Sequence, residues 1–298
     1  MNDDAGATGA GVGKPDWIRV RIPCGVNSGR LRDLVETQGL HTVCSEALCP
    51  NLGECWEHGR ATLMILGDEC SRQCRFCGVR FGKSGKADAE EPGRVAEAVR
   101  QMRLNDVVIT SVTRDDLPDG GASIWAETVR AIHEVCPEVL VEVLVPDFAG
   151  DESAIGLVLD AAPEVWGHNL ETVPSLYSQV RAQADYGRSL RALSLAHERG
   201  LVTKTSIMLG LGEELEEVLT VMADARQTGC NIMYIGQYLQ PGKDHLPVQR
   251  YWEPAEFDNL KERGLAMGFD VVVSAPLVRS SYYSDEQAEF LLRTPDPF

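Results

Sequence analysis

The stretch Thr62-Leu63-Met64-Ile65-Leu66-Gly67-Asp68-Glu69-Cys70-Ser71-Arg72-Gln73-Cys74-Arg75-Phe76-Cys77 runs a short apolar segment into three cysteines spaced by three and two residues. Its first five residues have the length and apolar continuity of a buried strand. Further runs of this kind fall at 107–112, 139–145, 165–170, 202–211 and 232–239, separated by helical patterns at 91–102, 123–135, 153–159, 174–183 with 189–198, and 214–228. Gly200 and Gly229 stand where helices should stop. Strands that alternate with helices pair in parallel through right-handed crossovers. A full barrel of eight units takes ~250 residues, about 31 per unit, and the 177 residues from Leu63 to Leu239 match about six such units. The expected fold is α/β: a partial (β/α)6 TIM-like barrel, open on one side where a large substrate could enter.

Outward from the barrel, residues 1–13 are Gly/Ala/Asp-rich and offer too little apolar surface to offset chain entropy, so they read as a disordered tail. Residues 14–61 show little periodicity and are broken by Pro23, Gly25, Gly29, Gly39, Pro50 and Gly53, which predicts an irregular N-terminal extension. The barrel then spans 62–240. Residues 241–298, with a helix at 255–267, a strand at 271–274 and a helical tail at 285–293, form a C-terminal extension that closes the site. A formal charge of −17, from 28 basic and 45 acidic residues, repels phosphate backbones and anionic lipid surfaces, so nucleic acid is excluded as a partner. No apolar stretch approaches the ~20 residues of a membrane span, and the first residues lack the apolar core of a signal peptide. The expected compartment is the cytoplasm, where thiols stay reduced.

Six of the nine cysteines fall within the 34 residues from 44 to 77, and the other 264 residues hold three. Cys70, Cys74 and Cys77 follow the first strand directly, on the rim where barrels of this kind place their chemistry. A structural zinc site wants four protein ligands, and a bacterial ferredoxin run has a different spacing. Three thiolates on a four-iron cube leave one iron open. That iron can chelate the amino and carboxylate groups of S-adenosylmethionine, whose sulfonium a reduced cluster splits to a carbon radical. A zinc loop or buried thiols is the plainer alternative. Cys44, Cys49 and Cys55 make a second triplet, again one ligand short. A cluster there needs a fourth ligand from elsewhere, and an oxygen donor such as serine would hold iron less tightly than thiolate does.

With these passages in view the chain resembles the lipoyl synthase family of radical S-adenosylmethionine enzymes, from about Trp17 to about Gln287. The resemblance is carried by Thr42-Val43-Cys44, Cys49-Pro50-Asn51, Gly53-Glu54-Cys55-Trp56, Val108-Ile109-Thr110-Ser111-Val112, Arg114-Asp115-Asp116-Leu117, His168-Asn169-Leu170-Glu171-Thr172-Val173, Gly236-Gln237-Tyr238-Leu239-Gln240-Pro241 and Pro276-Leu277-Val278-Arg279-Ser280-Ser281-Tyr282. Ser45, Asn231 and Ala275 depart from the family pattern and remove no metal ligand. The resemblance implies two [4Fe–4S] clusters, with Ser281 completing the auxiliary one. Read from the residues alone, Ser280 and Ser281 would cap the last helix. The resemblance also implies that Thr110, Ser111, Asn169, Glu171, Arg181 and Met208 hold S-adenosylmethionine. Each has an ordinary alternative, such as a helix-end acid for Glu171, a solvated charge for Arg181 and a core role for Met208.

The implied reaction inserts two sulfurs at carbons 6 and 8 of a protein-bound octanoyllysine. A 5′-deoxyadenosyl radical takes each hydrogen, and the auxiliary cluster on Cys44, Cys49, Cys55 and Ser281 is consumed as the sulfur source. The implied partners are octanoylated lipoyl domains of 2-oxoacid dehydrogenase complexes and the glycine cleavage H protein, an electron donor of ferredoxin or flavodoxin type, and iron–sulfur carrier proteins. A radical sulfur-inserting enzyme resembling biotin synthase would lack the Arg-Ser-Ser-Tyr tail, and a pure electron carrier would give both clusters four thiolates. Cys24, Cys136 and Cys230 read as small apolar residues, and His168 as a hydrogen-bonded core residue, with lining of the site at the fourth strand as the alternative. Gly210 and Gly212 are expected to let the backbone approach a ligand. The acidic run 213–217 reads as a helix N-terminal turn without a binding role.

Overall fold

The computed structural model describes residues 13–18, 26–46, 49, 51–57, 62–83, 85–282 and 284–293. Most of the expected tail (1–12) and Cys24 lie outside the described residues. Seven parallel strands follow one another in a single sheet: β1 (Thr62–Ile65), β2 (Asp106–Ser111), β3 (Leu140–Leu144), β4 (Val165–Gly167), β5 (Val202–Leu209), β6 (Ile232–Gln237) and β7 (Val271–Ser274). The two-residue strand His41–Thr42 pairs antiparallel with β1 on its free edge, and β7 does not pair back to it, so the barrel is open. The six expected units are thus continued by β7, which the sequence marked as a strand of the C-terminal extension after the helix at 255–267. Strand residues are buried on both faces, as helix-covered parallel sheets require.

The exit from β1 positions the cysteine loop. Leu66 takes a left-handed conformation (φ 69°) followed by Gly67 (φ 95°), and the Leu66 N–H donates to buried Glu91 Oε2 at 2.8 Å. Glu91 opens the helix Glu91–Met102, whose Val95, Ala96, Val99 and Met102 recur at helical spacing and are buried. Arg114 is enclosed and donates to Leu66 O (3.2 Å), Gly85 O (2.6 Å) and both oxygens of Asp116. A turn with this many fixed partners cannot drift, so the cysteines beyond it start from a fixed point.

Two expectations are corrected. The N-terminal extension is not irregular: it contains the helix Val26–Thr37 and the short helices Val43–Glu46 and Leu52–Glu57. Gly29 and the polar residues weaken its intrinsic propensity, but Leu31 and Val35 bury one face, with Leu34 packed beside them, and that packing supplies the stability. The helix expected over 174–183 is instead a 3₁₀ turn, Pro174–Leu176, and one α-turn, Tyr177–Val180, that ends because Arg181 leaves helical geometry (φ −144°, ψ 62°). Arg181 Nη1 turns back to the carbonyls of Asn169 (2.8 Å) and Leu170 (3.2 Å).

The close approach at Gly210 (φ 103°) is to protein rather than to a ligand: a Cβ there would stand 2.5 Å from Arg250 O and 2.1 Å from Gln237 Nε2. Glu213, read as part of a helix turn, is buried and accepts from the N–H groups of Gly210 and Leu211 and from Trp252 Nε1. Glu214 and Glu217 do form the expected helix start, as a capping box. Gly210→Ala is expected to cost about 1–3 kcal/mol of stability, the range for a residue forced into a sparsely populated backbone region. A urea-unfolding midpoint indistinguishable from wild type would refute this.

Candidate active site

The loop after β1 is held by hydrogen bonds that leave its thiols facing inward. The backbone N–H groups of Arg72 (3.4 Å) and Thr113 (3.3 Å) donate to Cys70 Sγ. Ser71 bonds Thr113 O through both its N–H and its hydroxyl, Arg75 N–H donates to Val180 O, and Leu246 N–H donates to Arg75 O. His245 Nε2 lies 2.9 Å from Cys77 O. Beneath the loop, buried Arg72 binds Asp115 through two nitrogens and Asp147 at 2.6 Å. Burial alone would raise the Asp147 carboxyl, but Arg72 outweighs it and keeps the group below the ordinary value. Burial pushes the Cys74 thiol up to about 11 and Cys77 up to about 12, so iron must displace protons as it binds.

These cysteines line a cavity of about 620 Å³ at the strand ends. Thr110, Ser111, Asn169, Glu171, Arg181 and Met208 line it as well. Their present bonds differ. Thr110 donates its hydroxyl to Leu144 O at 2.9 Å, whereas buried Ser111 Oγ has no protein partner. Asn169 Nδ2 donates to Glu171 Oε1 at 3.0 Å, and Glu171 stands in a left-handed conformation (φ 65°) that bridges to β5. Burial raises the Glu171 carboxyl, opposed by Arg181 and Arg279. Arg181 Nε is buried without a partner, and its guanidinium lies 5.3 Å from the Tyr177 ring. Met208 serves both as wall and as packing against Val180, Leu211, Tyr238 and Leu246. The unpartnered Ser111 hydroxyl and Arg181 N–H fit a polar cofactor with carboxylate and hydroxyl groups, since buried polar groups are otherwise bonded.

A second, smaller cavity is lined by Cys44, Cys49 and Cys55 together with Asn51, Asp106, Arg279, Ser281 and Tyr282. The four residues expected at the auxiliary cluster therefore converge across more than two hundred positions of sequence. Asn51 Nδ2 donates to Leu277 O at 2.7 Å, tying the N-terminal layer to the segment that carries Ser281. Cys49, Arg279 and Ser281 line both cavities, so the two share a wall. Among the described residues no three His, Cys, Asp or Glu side chains close on a single-ion site.

Sequence reasoning left His168 between two roles, a hydrogen-bonded core residue or a residue lining the site at the fourth strand, and it fills both. His168 is hydrogen-bonded, with Nδ1 2.8 Å from Val145 O, but it also lines the large cavity with Nε2 buried and unpartnered. Burial holds its imidazole down to about 4, so it is a neutral acceptor there. Its position at a strand end was the available signal. Arg279 was legible only as a neighbour of Ser281. The departures are accommodated: Asn231 accepts from Thr203 N–H and donates to Asp270 Oδ2 at 2.9 Å, which an aspartate could not do. Ser45 bonds within its own turn to Thr42. Cys136 and Cys230 are free thiols packed as small residues.

Residues 64–225 match the radical SAM superfamily. The lipoyl synthase of Rubrobacter xylanophilus is 52% identical over 279 residues, covering 93% of this chain and 87% of its own. That of Methylococcus capsulatus is 51% identical over 288 residues, covering 96% and 89%. Among solved structures, methylornithine synthase superposes with a TM-score of 0.53 at 14% identity, covering 92% of this chain and 86% of that one, a likeness of fold.

Proposed function

The chain belongs to the lipoyl synthase family of the radical SAM superfamily, and we propose from that membership that its two cavities work as one site for inserting two sulfurs, at carbons 6 and 8, into protein-bound octanoyllysine. The observation that carries this reading is the shared wall of Cys49, Arg279 and Ser281 between the cavities. The bound groups supply reductive cleavage of S-adenosylmethionine to a carbon-centred radical at one cluster and the inserted sulfur from the other.

The protein's part is binding, orientation and exclusion of water. Cys70, Cys74 and Cys77 hold the radical cluster, and Cys44, Cys49, Cys55 and Ser281 hold the auxiliary one. Arg181 pairs with the methionine carboxylate, while Asn169 and Glu171 take the ribose hydroxyls and Ser111 offers a free hydroxyl. Thr110 and Met208 close the wall. An alkyl chain must lie between cofactor and sulfur donor with its reacting carbon fixed, since proximity and orientation carry much of such a barrier. Val112, Leu144, Val145 and Val278 give that space an apolar lining. Residues 14–61 bring the auxiliary ligands and residues 241–298 close the site.

In this reading the substrates are octanoylated lipoyl domains of 2-oxoacid dehydrogenase complexes and the glycine cleavage H protein, reached through the open side of the barrel. Electrons come from a ferredoxin or flavodoxin type donor, iron–sulfur carrier proteins rebuild the auxiliary cluster, and the setting is the cytoplasm. No described helix is long and apolar enough to cross a membrane. The test is anaerobic reconstitution, iron and sulfide counts, and mass spectrometry after incubation with S-adenosylmethionine, dithionite and an octanoyllysine peptide. The expected result is about eight irons per chain, as two four-iron cubes require, with lipoyl product formed. Cofactor cleavage without any sulfur in the peptide would overturn the reading.

A further inference from the structure

Arg279 stands at the junction of the two cavities and lines both. Among the described residues lining the smaller one it is the only lysine or arginine, and Asp106 is the only carboxylate. Cys49 on the auxiliary side and Glu171 on the cofactor side lie within electrostatic reach of Arg279. Its guanidinium is anchored, with Nη1 donating to Val278 O at 2.6 Å. β6 makes room for that anchor: a Cβ on Gly236 would stand 2.1 Å from Val278 O and 3.2 Å from Arg279 Nη1. A side chain at position 236 would therefore displace the segment that carries the cation.

A four-iron cube held by three thiolates and a serine oxygen carries roughly two negative charges, and its potential follows net charge and hydrogen bonding. Beside Asp106, such a group is costly to enclose without a cation. We propose that Arg279 is a positioning residue that balances the charge of the auxiliary cluster and thereby raises its reduction potential, more than it raises that of the radical cluster. Removing this positive charge disfavours adding an electron to the auxiliary cluster most, because Cys49 and Ser281 share the common wall with Arg279 whereas Cys70, Cys74 and Cys77 line only the large cavity. The proposal rests on the assignment of Cys44, Cys49, Cys55 and Ser281 to that cluster.

The test is a redox titration followed by electron paramagnetic resonance on the reconstituted full-length wild type, Arg279→Gln and Arg279→Lys. The same substitutions in a chain with Cys70, Cys74 and Cys77 replaced by alanine assign the auxiliary signal. Arg279→Gln is expected to move the auxiliary potential to more negative values, by more than it moves the radical cluster's, and Arg279→Lys to bring it back toward wild type. Retention of both clusters by Arg279→Lys, with loss of only the auxiliary one in Arg279→Gln, also supports the role. An unshifted auxiliary potential in Arg279→Gln overturns it, as does equal loss or equal shift in both variants. A wild-type chain that takes up only one cluster overturns the two-cluster reading itself, a result legible from the iron count alone.

Discussion

Cys44→Ala is expected to keep S-adenosylmethionine cleavage and lose lipoyl product, whereas Cys77→Ala is expected to lose both. The two cysteines divide the site cleanly. Cys77 lines the large cavity with the residues proposed to hold S-adenosylmethionine, and Cys44 lines only the small one. Cys44 is also buried in the main core with Trp56 and Leu63, and its carbonyl accepts from the Cys49 N–H. Cys49 is a poorer choice because it lines both cavities. With three thiolates per cube, removing one leaves two and a cluster that does not persist. Iron per chain should fall by about half in each variant, since one of two four-iron cubes is lost. The measurements are iron content, 5′-deoxyadenosine by liquid chromatography, and the mass of the peptide. Lipoyl product from Cys44→Ala would sink the sulfur-donor assignment, and cofactor cleavage by Cys77→Ala would sink the radical-cluster assignment.

Lys204→Met is expected to destabilise the fold by about 3–5 kcal/mol, the cost of leaving one partner of a buried ion pair uncompensated. Lys204, on β5, is enclosed in the barrel interior, where its ammonium donates to Glu142 (2.8 and 3.1 Å) and to Gln287 Oε1 (2.9 Å). It also sits 4.2 Å from the Tyr234 ring. Burial draws its basicity down, opposed by Glu142. Gln287 belongs to the C-terminal helix Asp285–Arg293, and its Nε2 donates to Glu142 Oε2 at 2.7 Å while Tyr234 donates to its Oε1 at 2.7 Å. That helix docks on a polar network inside the barrel, so the same variant should expose it to proteolysis. Lys204→Met with Glu142→Leu should recover much of the loss, because an apolar pair of similar volume replaces a desolvated one. Urea unfolding with matched metal loading measures both. A midpoint for Lys204→Met equal to wild type, or no recovery in the double variant, would refute the account.

Local order was legible because it is written in spacing. The strands and most helices follow from apolar runs and a 3.6-residue period, and the two cysteine triplets point to cluster chemistry by their spacing, the second also by its place directly after a strand. The helix Val26–Thr37 was hidden because its few apolar residues stabilise it only against a neighbour. The break at Arg181 was hidden for the opposite reason: a segment with helical content is bent so that one guanidinium reaches two carbonyls.

By itself the sequence determined most of the barrel and the family, and marked the loop proposed to hold the radical cluster, since each motif lies within a short stretch of chain. Ser281 could be named as a ligand only through resemblance. Tertiary structure alone brought Cys44, Cys49, Cys55 and Ser281 to one cavity, set Arg279 between the two cavities, and threaded Gln287 to Glu142 and Lys204. These are meetings of residues one hundred or more positions apart, or across strands, and no local periodicity encodes them. They exist because the crossovers stack the strand ends on one rim and the chain's two extensions close against that rim and the barrel floor.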